Sequence, residues 1–170
     1  MSSNSPNASE NSQTYAEENF DQLSDKALED IGDVIVTPVM IIERMFPAGG
    51  DSQKLHIGAT EFSYPGKISG KVLSACLTGE LTPTLKMHLR TSYRSASFWI
   101  KTLSSETSIV TVVQFRKGST LVRTKPVIIE NLNTPEFFEV IDSGEFDQII
   151  LTSPNSRNQE FEIDHIRLYK

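Results

Sequence analysis

Three histidines, one cysteine and a scatter of serines and carboxylates are the side chains in this 170-residue chain that could do acid–base or covalent chemistry. None stands in a spacing that such chemistry uses. His56, His88 and His165 fall in separate predicted strands, and no Gly-x-Ser-x-Gly turn presents a serine nucleophile to any of them. A His-His-Glu metal site would have to be assembled across distant strands. Glycoside hydrolysis needs two opposed carboxylates at a set separation, and spacing alone does not bring Glu130, Glu136, Glu139 or Glu162 into such a pair. Gly49-Gly50 lacks the lysine and hydroxyl of a phosphate-binding loop. Cys76, the sole cysteine, lies in Val72-Leu73-Ser74-Ala75-Cys76-Leu77, where a thiol packs as a small hydrophobe, and it has no partner for an intrachain disulfide. These residues predict no catalytic centre, so a binding function is expected.

Charge narrows the class further. The net charge is -6, and eight of the 22 acids lie in the first 33 residues against Lys26 alone, so the rest of the chain is close to neutral. Such a body has no basic stripe to neutralise phosphates, which argues against nucleic acid and against attachment to an anionic membrane. Residues 1–14 are Ser/Asn-rich with neither the basic start nor the apolar run of a signal peptide, and read as a disordered leader. No later run approaches the roughly 18 apolar residues that span a bilayer. A soluble protein without membrane insertion is expected, either cytoplasmic or exported without a cleaved signal. Residues 15–170 are long enough for one domain, which at about 150 residues buries roughly two thirds of its unfolded surface.

The elements that must position any site read as strands. One short helical turn is expected at the N-terminal end, over 23–32, with Ser24 as N-cap, Asp25 in the first turn and Gly32 as the stop. Beyond it, runs of β-branched and aromatic residues are separated by turn chemistry such as Pro65-Gly66, Lys117-Gly118-Ser119 and Asp142-Ser143-Gly144. The runs predict strands near 34–45, 54–57, 61–64, 68–77, 85–91, 95–102, 109–115, 121–129, 136–141, 146–152 and 160–169. No period of 20 to 50 residues repeats, which removes propellers and solenoids. In Leu85-Lys86-Met87-His88-Leu89-Arg90 the apolar residues share one face and Lys86, His88 and Arg90 the other. Phe98 and Ile100 point inward on the next strand, with Ser97, Trp99 and Lys101 opposite. Ile109 to Val113 and Ile149-Ile150-Leu151 are apolar on both parities, as central strands are. The last strand changes phase between Phe161/Ile163 and Ile166/Leu168, which predicts a bulge near Asp164-His165.

The Asn19-Phe20-Asp21 start, the Leu55-His56-Ile57-Gly58 segment, Ser97-Phe98-Trp99-Ile100, Val112-Val113-Gln114-Phe115-Arg116-Lys117-Gly118 and the closing pair Phe146-Asp147-Gln148-Ile149 and Phe161-Glu162-Ile163-Asp164-His165-Ile166 together resemble jelly-roll β-sandwich modules of the carbohydrate-binding, galactose-binding-like type. The resemblance spans residues 15–170. It implies an all-β, jelly-roll-like antiparallel β-sandwich that binds glycans without catalysis, in a lectin-like manner, on a sheet face or at loop tips. Trp99 is then the expected sugar platform, since an aromatic face offers apolar area to the C–H face of a pyranose. His88, Arg90, Tyr93 and Lys101 would orient the sugar if their strands are neighbours. Related modules also carry a structural calcium between first and last strands; here Glu18, Asp21 and Asp164 would hold it, with Glu17 as a substitute. The competing expectation is a structural or protein-interaction β-sandwich, an accessory domain of a secreted or surface protein, whose edge strands or loops contact a protein. An exposed Trp99 in a groove favours the glycan, a flat apolar patch the protein.

Overall fold

The computed structural model describes residues 15–45, 55–77, 82–105, 109–153 and 159–170, so the expected leader at 1–14 lies outside the described residues. Thirteen strands and no helix are formed among the described residues: β1 (Tyr15–Glu18), β2 (Lys26–Ala27), β3 (Val34–Val36), β4 (Met40–Arg44), β5 (Leu55–Ala59), β6 (Lys71–Leu77), β7 (Pro83–Tyr93), β8 (Ser95–Thr102), β9 (Ile109–Lys117), β10 (Thr120–Ile128), β11 (Glu136–Val140), β12 (Phe146–Thr152) and β13 (Gln159–Tyr169). They pair antiparallel in two sheets. The first runs β11-β8-β13-β6-β5-β2, with β1 also on β13, and the second runs β10-β9-β12-β7-β4-β3. This is the all-β, jelly-roll-like antiparallel sandwich that the sequence predicts.

The helical turn expected over 23–32 is not formed. Lys26 and Ala27 pair instead with Ile57 and His56, and Leu28 N–H donates to Leu55 O at 2.8 Å, its side chain entering the core. Asp33 folds the rest back by accepting N–H groups of Glu29 and Asp30, each at 2.9 Å. An isolated ten-residue helix is marginal in water, and the strand pairing and the burial of Leu28 outweigh it. Two further differences are local. The run over 34–45 breaks into a hairpin because Thr37 Oγ1 accepts the N–H groups of Val39 and Met40. Residues 61–64 form no strand; they belong to a covering segment, described below.

Burial explains why the remaining strands form where the alternation places them. Leu85, Met87 and Leu89 of β7, Val113 and Phe115 of β9, Ile149 and Leu151 of β12, Phe98 and Ile100 of β8, and Phe161 and Ile163 of β13 meet in one apolar cluster between the sheets. Each such side chain contributes about 1.5–3 kcal/mol of transfer free energy. The two runs apolar on both parities, β9 and β12, are central in the second sheet. The predicted bulge is present: the β13–β8 register shifts between Asp164 and Arg167, and His165 takes a φ of 50°. One side of β13 is thereby shared in sequence, by β6 over Gln159–Ile163 and by β1 over Ile166–Tyr169.

Candidate functional site

The outer face of the second sheet is built by alternation. On β7 the inward Leu85, Met87 and Leu89 leave Lys86, His88 and Arg90 outside; the same parity puts Gln114 and Arg116 outside on β9 and Gln148 and Ile150 on β12. Registers align them in two rows. Gln114, Ile150, Lys86 and Glu43 lie side by side across β9, β12, β7 and β4, and Arg116, Gln148, His88 and Ile41 form the next row. A groove of about 440 Å³ opens here, lined by Met45, Pro83, Lys86, Gln114, Arg116, Gly118, Ser119, Gln148 and Ile150. Arg116 is oriented by neutral acceptors: Nε and Nη2 donate to Gln114 Oε1 at 3.3 and 3.2 Å, and Nη1 to Ser119 O at 3.2 Å. His88 Nε2 lies 2.7 Å from Glu43 Oε2. Guanidinium, amide and ammonium groups on one floor can hydrogen-bond a ligand rich in hydroxyls.

The outer face of the first sheet is covered. The segment between β5 and β6 lies across it, tied by Thr60 Oγ1 donating to Glu162 Oε2 at 2.6 Å, Tyr64 Oη donating to Asn133 O at 2.6 Å and Ser69 N–H donating to Asp164 Oδ2 at 3.2 Å. Trp99, half-buried, sits at the margin of this cover. The Lys67 ammonium stands 4.7 Å from its ring centre, and Phe137, its register partner on β11, packs at 5.0 Å. Phe137 itself is 47% exposed. Lys101 is buried beneath Phe62, with Nζ donating to Thr102 O at 2.7 Å and Leu132 O at 2.8 Å. Burial lowers its pKa against the charge of Glu162, whose own carboxyl burial pushes up.

The five expected ligand residues therefore divide. His88 and Arg90 stand on the polar face of the second sheet, where Arg90 Nη2 donates to Thr37 O at 3.1 Å. Trp99 and Lys101 stand on the first sheet, and Tyr93 points into the core, where burial raises its hydroxyl pKa. The condition that their strands be neighbours is not met: β7 and β8 are consecutive in sequence but belong to different sheets. Lys86 shared the outward parity with His88 and was legible as part of that wet face. Gln114, Arg116 and Gln148 were not, because β9, β12 and β7 become neighbours only through long-range pairing.

The three expected calcium ligands gather around the β1–β13 junction. Glu18 is buried and accepts Phe20 N–H at 2.8 Å; Asp21 Oδ1 accepts Lys71 N–H at 2.9 Å; Asp164 is fully buried and accepts His165 N–H at 2.7 Å besides that of Ser69. Burial pushes the Asp164 carboxyl up to about 6, against the Ser69 and His165 contacts, and the Asp21 charge adds to the rise. Beside it, His165 Nδ1 lies 2.7 Å from Glu17 Oε1, to which Arg167 Nε donates at 3.2 Å. Burial would raise Glu17, but His165 and Arg167 outweigh it and hold the carboxyl low. Among the described residues no three His, Cys, Asp or Glu side chains converge closely enough to hold a metal by themselves. The residues suit calcium in kind, as hard oxygen donors with two of the three carboxylates buried, and backbone carbonyls would have to complete its six to eight ligands.

No protein-family model matches the sequence, and no curated protein does. Among solved structures the chain is similar to the CBM22-1 xylan-binding domain of Paenibacillus barcinonensis Xyn10C, with 15% identity and a TM-score of 0.42 over 91% of this chain and 94% of that one. It is similar to the family 11 carbohydrate-binding module of Clostridium thermocellum in complex with a β-1,3-1,4-mixed-linked tetrasaccharide, with 11% identity and a TM-score of 0.38 over 92% and 87%. It is also similar to the enzymatically active domain of bacteriophage CBA120 tailspike protein 4, with 12% identity and a TM-score of 0.32 over 93% of this chain and 19% of that one. These are remote likenesses, and two of the three are to carbohydrate-binding modules.

Proposed function

We propose that this chain is a non-catalytic carbohydrate-binding module whose ligand lies across the outer face of the second sheet. The observation that carries the proposal is the groove floor: Arg116 and Gln148 in one row, with His88 next to them beyond the groove, and Gln114 and Lys86 in the next row, held at strand spacings by the sheet. Strands repeat at about 4.8 Å, so donors and acceptors recur at regular steps across the floor, where a ligand rich in hydroxyls can meet several of them. A structural calcium at the β1–β13 junction belongs to this reading, drawing on carboxylates from among Glu18, Asp21 and Asp164 and on backbone carbonyls, since the three side chains do not converge as one ligand set. It would supply positive charge to carboxylates that burial otherwise penalises.

A second reading uses the first sheet. Trp99 and the exposed Phe137 form an aromatic pair beside a hollow of about 220 Å³ that Pro126, Ile128 and Phe137 help to line, at the adjoining edges of β10 and β11. That ledge could serve as a sugar platform, or as the contact surface of a protein-interaction module. Titration of the whole chain with a panel of soluble glycans, read by calorimetry and by the emission of its single tryptophan, separates the readings. In the first, Gln148→Ala weakens binding, the melting temperature holds, and Trp99 emission stays unchanged on saturation. A ligand-dependent Trp99 shift, with binding intact in Gln148→Ala and lost in Phe137→Ala, would move the site to the first sheet. Absence of binding to every glycan would leave the protein-interaction reading.

A further inference from the structure

We infer that the groove on the second sheet selects acidic polysaccharides, in which sugar units carry carboxylates, over neutral ones; the inference rests on the carbohydrate-binding reading of that groove. Among the described residues, the charged ones that line it are Lys86 and Arg116, both cationic, in a chain whose net charge is -6. Neither is held in an ion pair among the described residues. Among the described residues Lys86 has no hydrogen bond or ion pair, although Glu43 is its register neighbour, because Glu43 turns to His88 instead. Arg116 is held by an amide oxygen and a backbone carbonyl, which fix the guanidinium without cancelling its charge and engage three of its five N–H donors. Asp147, the carboxylate closest in sequence to the groove floor, is likewise occupied: it accepts Gly118 N–H at 2.9 Å and lies 3.6 Å from Lys117 Nζ.

An oriented guanidinium with N–H groups to spare suits a planar carboxylate, which it can meet through paired hydrogen bonds. Lys86 stands two strands away across β12 and one row along, about 12 Å between backbone positions in the sheet. Two cations so placed fit a ligand that repeats its negative charge along a chain. The amides of Gln114 and Gln148, between and beside them, remain for the hydroxyls.

The test is calorimetric titration of the full chain with uronic-acid oligosaccharides of several backbones, their methyl esters, the matching neutral oligosaccharides and a sulfated glycan, in dilute buffer and at high salt. The acid forms should bind about ten-fold or more tighter than their esters, as expected for charge-assisted hydrogen bonds. Salt should remove much of that difference. Lys86→Gln and Arg116→Gln should each erode the preference for acid over ester while leaving the melting temperature in place. Esters or neutral oligosaccharides that bind as well as the acids, with both variants unaffected, would overturn this inference and leave the carbohydrate-binding reading standing. Tighter binding of the sulfated glycan would overturn the assignment to carboxylates. Failure of every glycan to bind would sink both.

Discussion

At Asp164 a carboxyl group is placed where solvent does not reach it, and its burial makes the protein sensitive to pH in a defined direction. The folded chain holds that proton up to about 6, above the ordinary value of 3.8. Between those values the folded state binds more proton than the unfolded one, so stability is fully present below pH 4 and falls as pH rises to 6. Two units correspond to about 3 kcal/mol. Glu17 works in the opposite sense, since its depressed pKa fades as a stabilising contribution only below the ordinary carboxylate range. Thermal melts of chelator-treated protein from pH 4 to 7 should therefore fall through this window, whereas Asp164→Asn should flatten the profile. Calcium added at pH 7 should raise the melting temperature of the parent and not of the variant; an unresponsive parent would remove calcium from the proposal. These residues were legible one at a time, through the terminal Phe161-Glu162-Ile163-Asp164 and the phase change that marked the bulge. The groove residues were not, since an outward glutamine or lysine looks the same in sequence whether it faces open water or a row of similar partners.

At the scale of elements, the segment between β5 and β6 decides which face of the molecule is open. It closes the first sheet by threading Ser69-Gly70-Lys71 past Asp164 and Asp21, and Gly70, at a φ of 67°, leaves no room for a Cβ beside the Asp21 carboxylate. Gly66, at a φ of 72°, has open space around the same position. Alanine at Gly66 should then cost only backbone strain, about 1–2 kcal/mol. Gly70→Ala should cost more, because the carboxylate that holds Lys71 N–H must also move, and the loosened cover should shift Trp99 emission to the red. Equal losses by denaturant titration at the two positions would show that the contact with Asp21 does not hold the cover. Sequence placed the strand interiors well because alternation records burial directly: β8 and β12 agree with their predicted limits. It misplaced 23–32 and 61–64, where local propensity competes with tertiary contacts: Leu28 is drawn to β5, and Thr60 and Tyr64 are drawn to Glu162 and Asn133. β1 was too short and too polar to stand out, and only its pairing with β13 makes it a strand.

Over the whole molecule, the two sheets are joined by a chain of aromatic rings that no single sheet could bury. Phe98 and Phe138 of the first sheet stack at 4.5 Å, Phe138 meets Phe115 of the second at 6.5 Å, and Phe115 meets Phe146 edge-on at 4.8 Å. Phe115 and Phe146 are wholly buried, on the strands whose opposite faces carry Gln114, Arg116 and Gln148. The floor of the groove is therefore only as rigid as this inter-sheet packing. Phe115→Ala should cost about 3–5 kcal/mol, the range for truncating a large buried aromatic. Phe137→Ala, on the exposed side of β11, should stay within about 1 kcal/mol. If the sheets share one core, urea unfolding of Phe115→Ala should remain a single transition, shifted to lower denaturant with an unchanged slope, whether followed by Trp99 emission in the first sheet or by far-ultraviolet circular dichroism. Two separated transitions, with the tryptophan signal outlasting the other, would mean that the first sheet holds without the second and that the groove floor can loosen on its own.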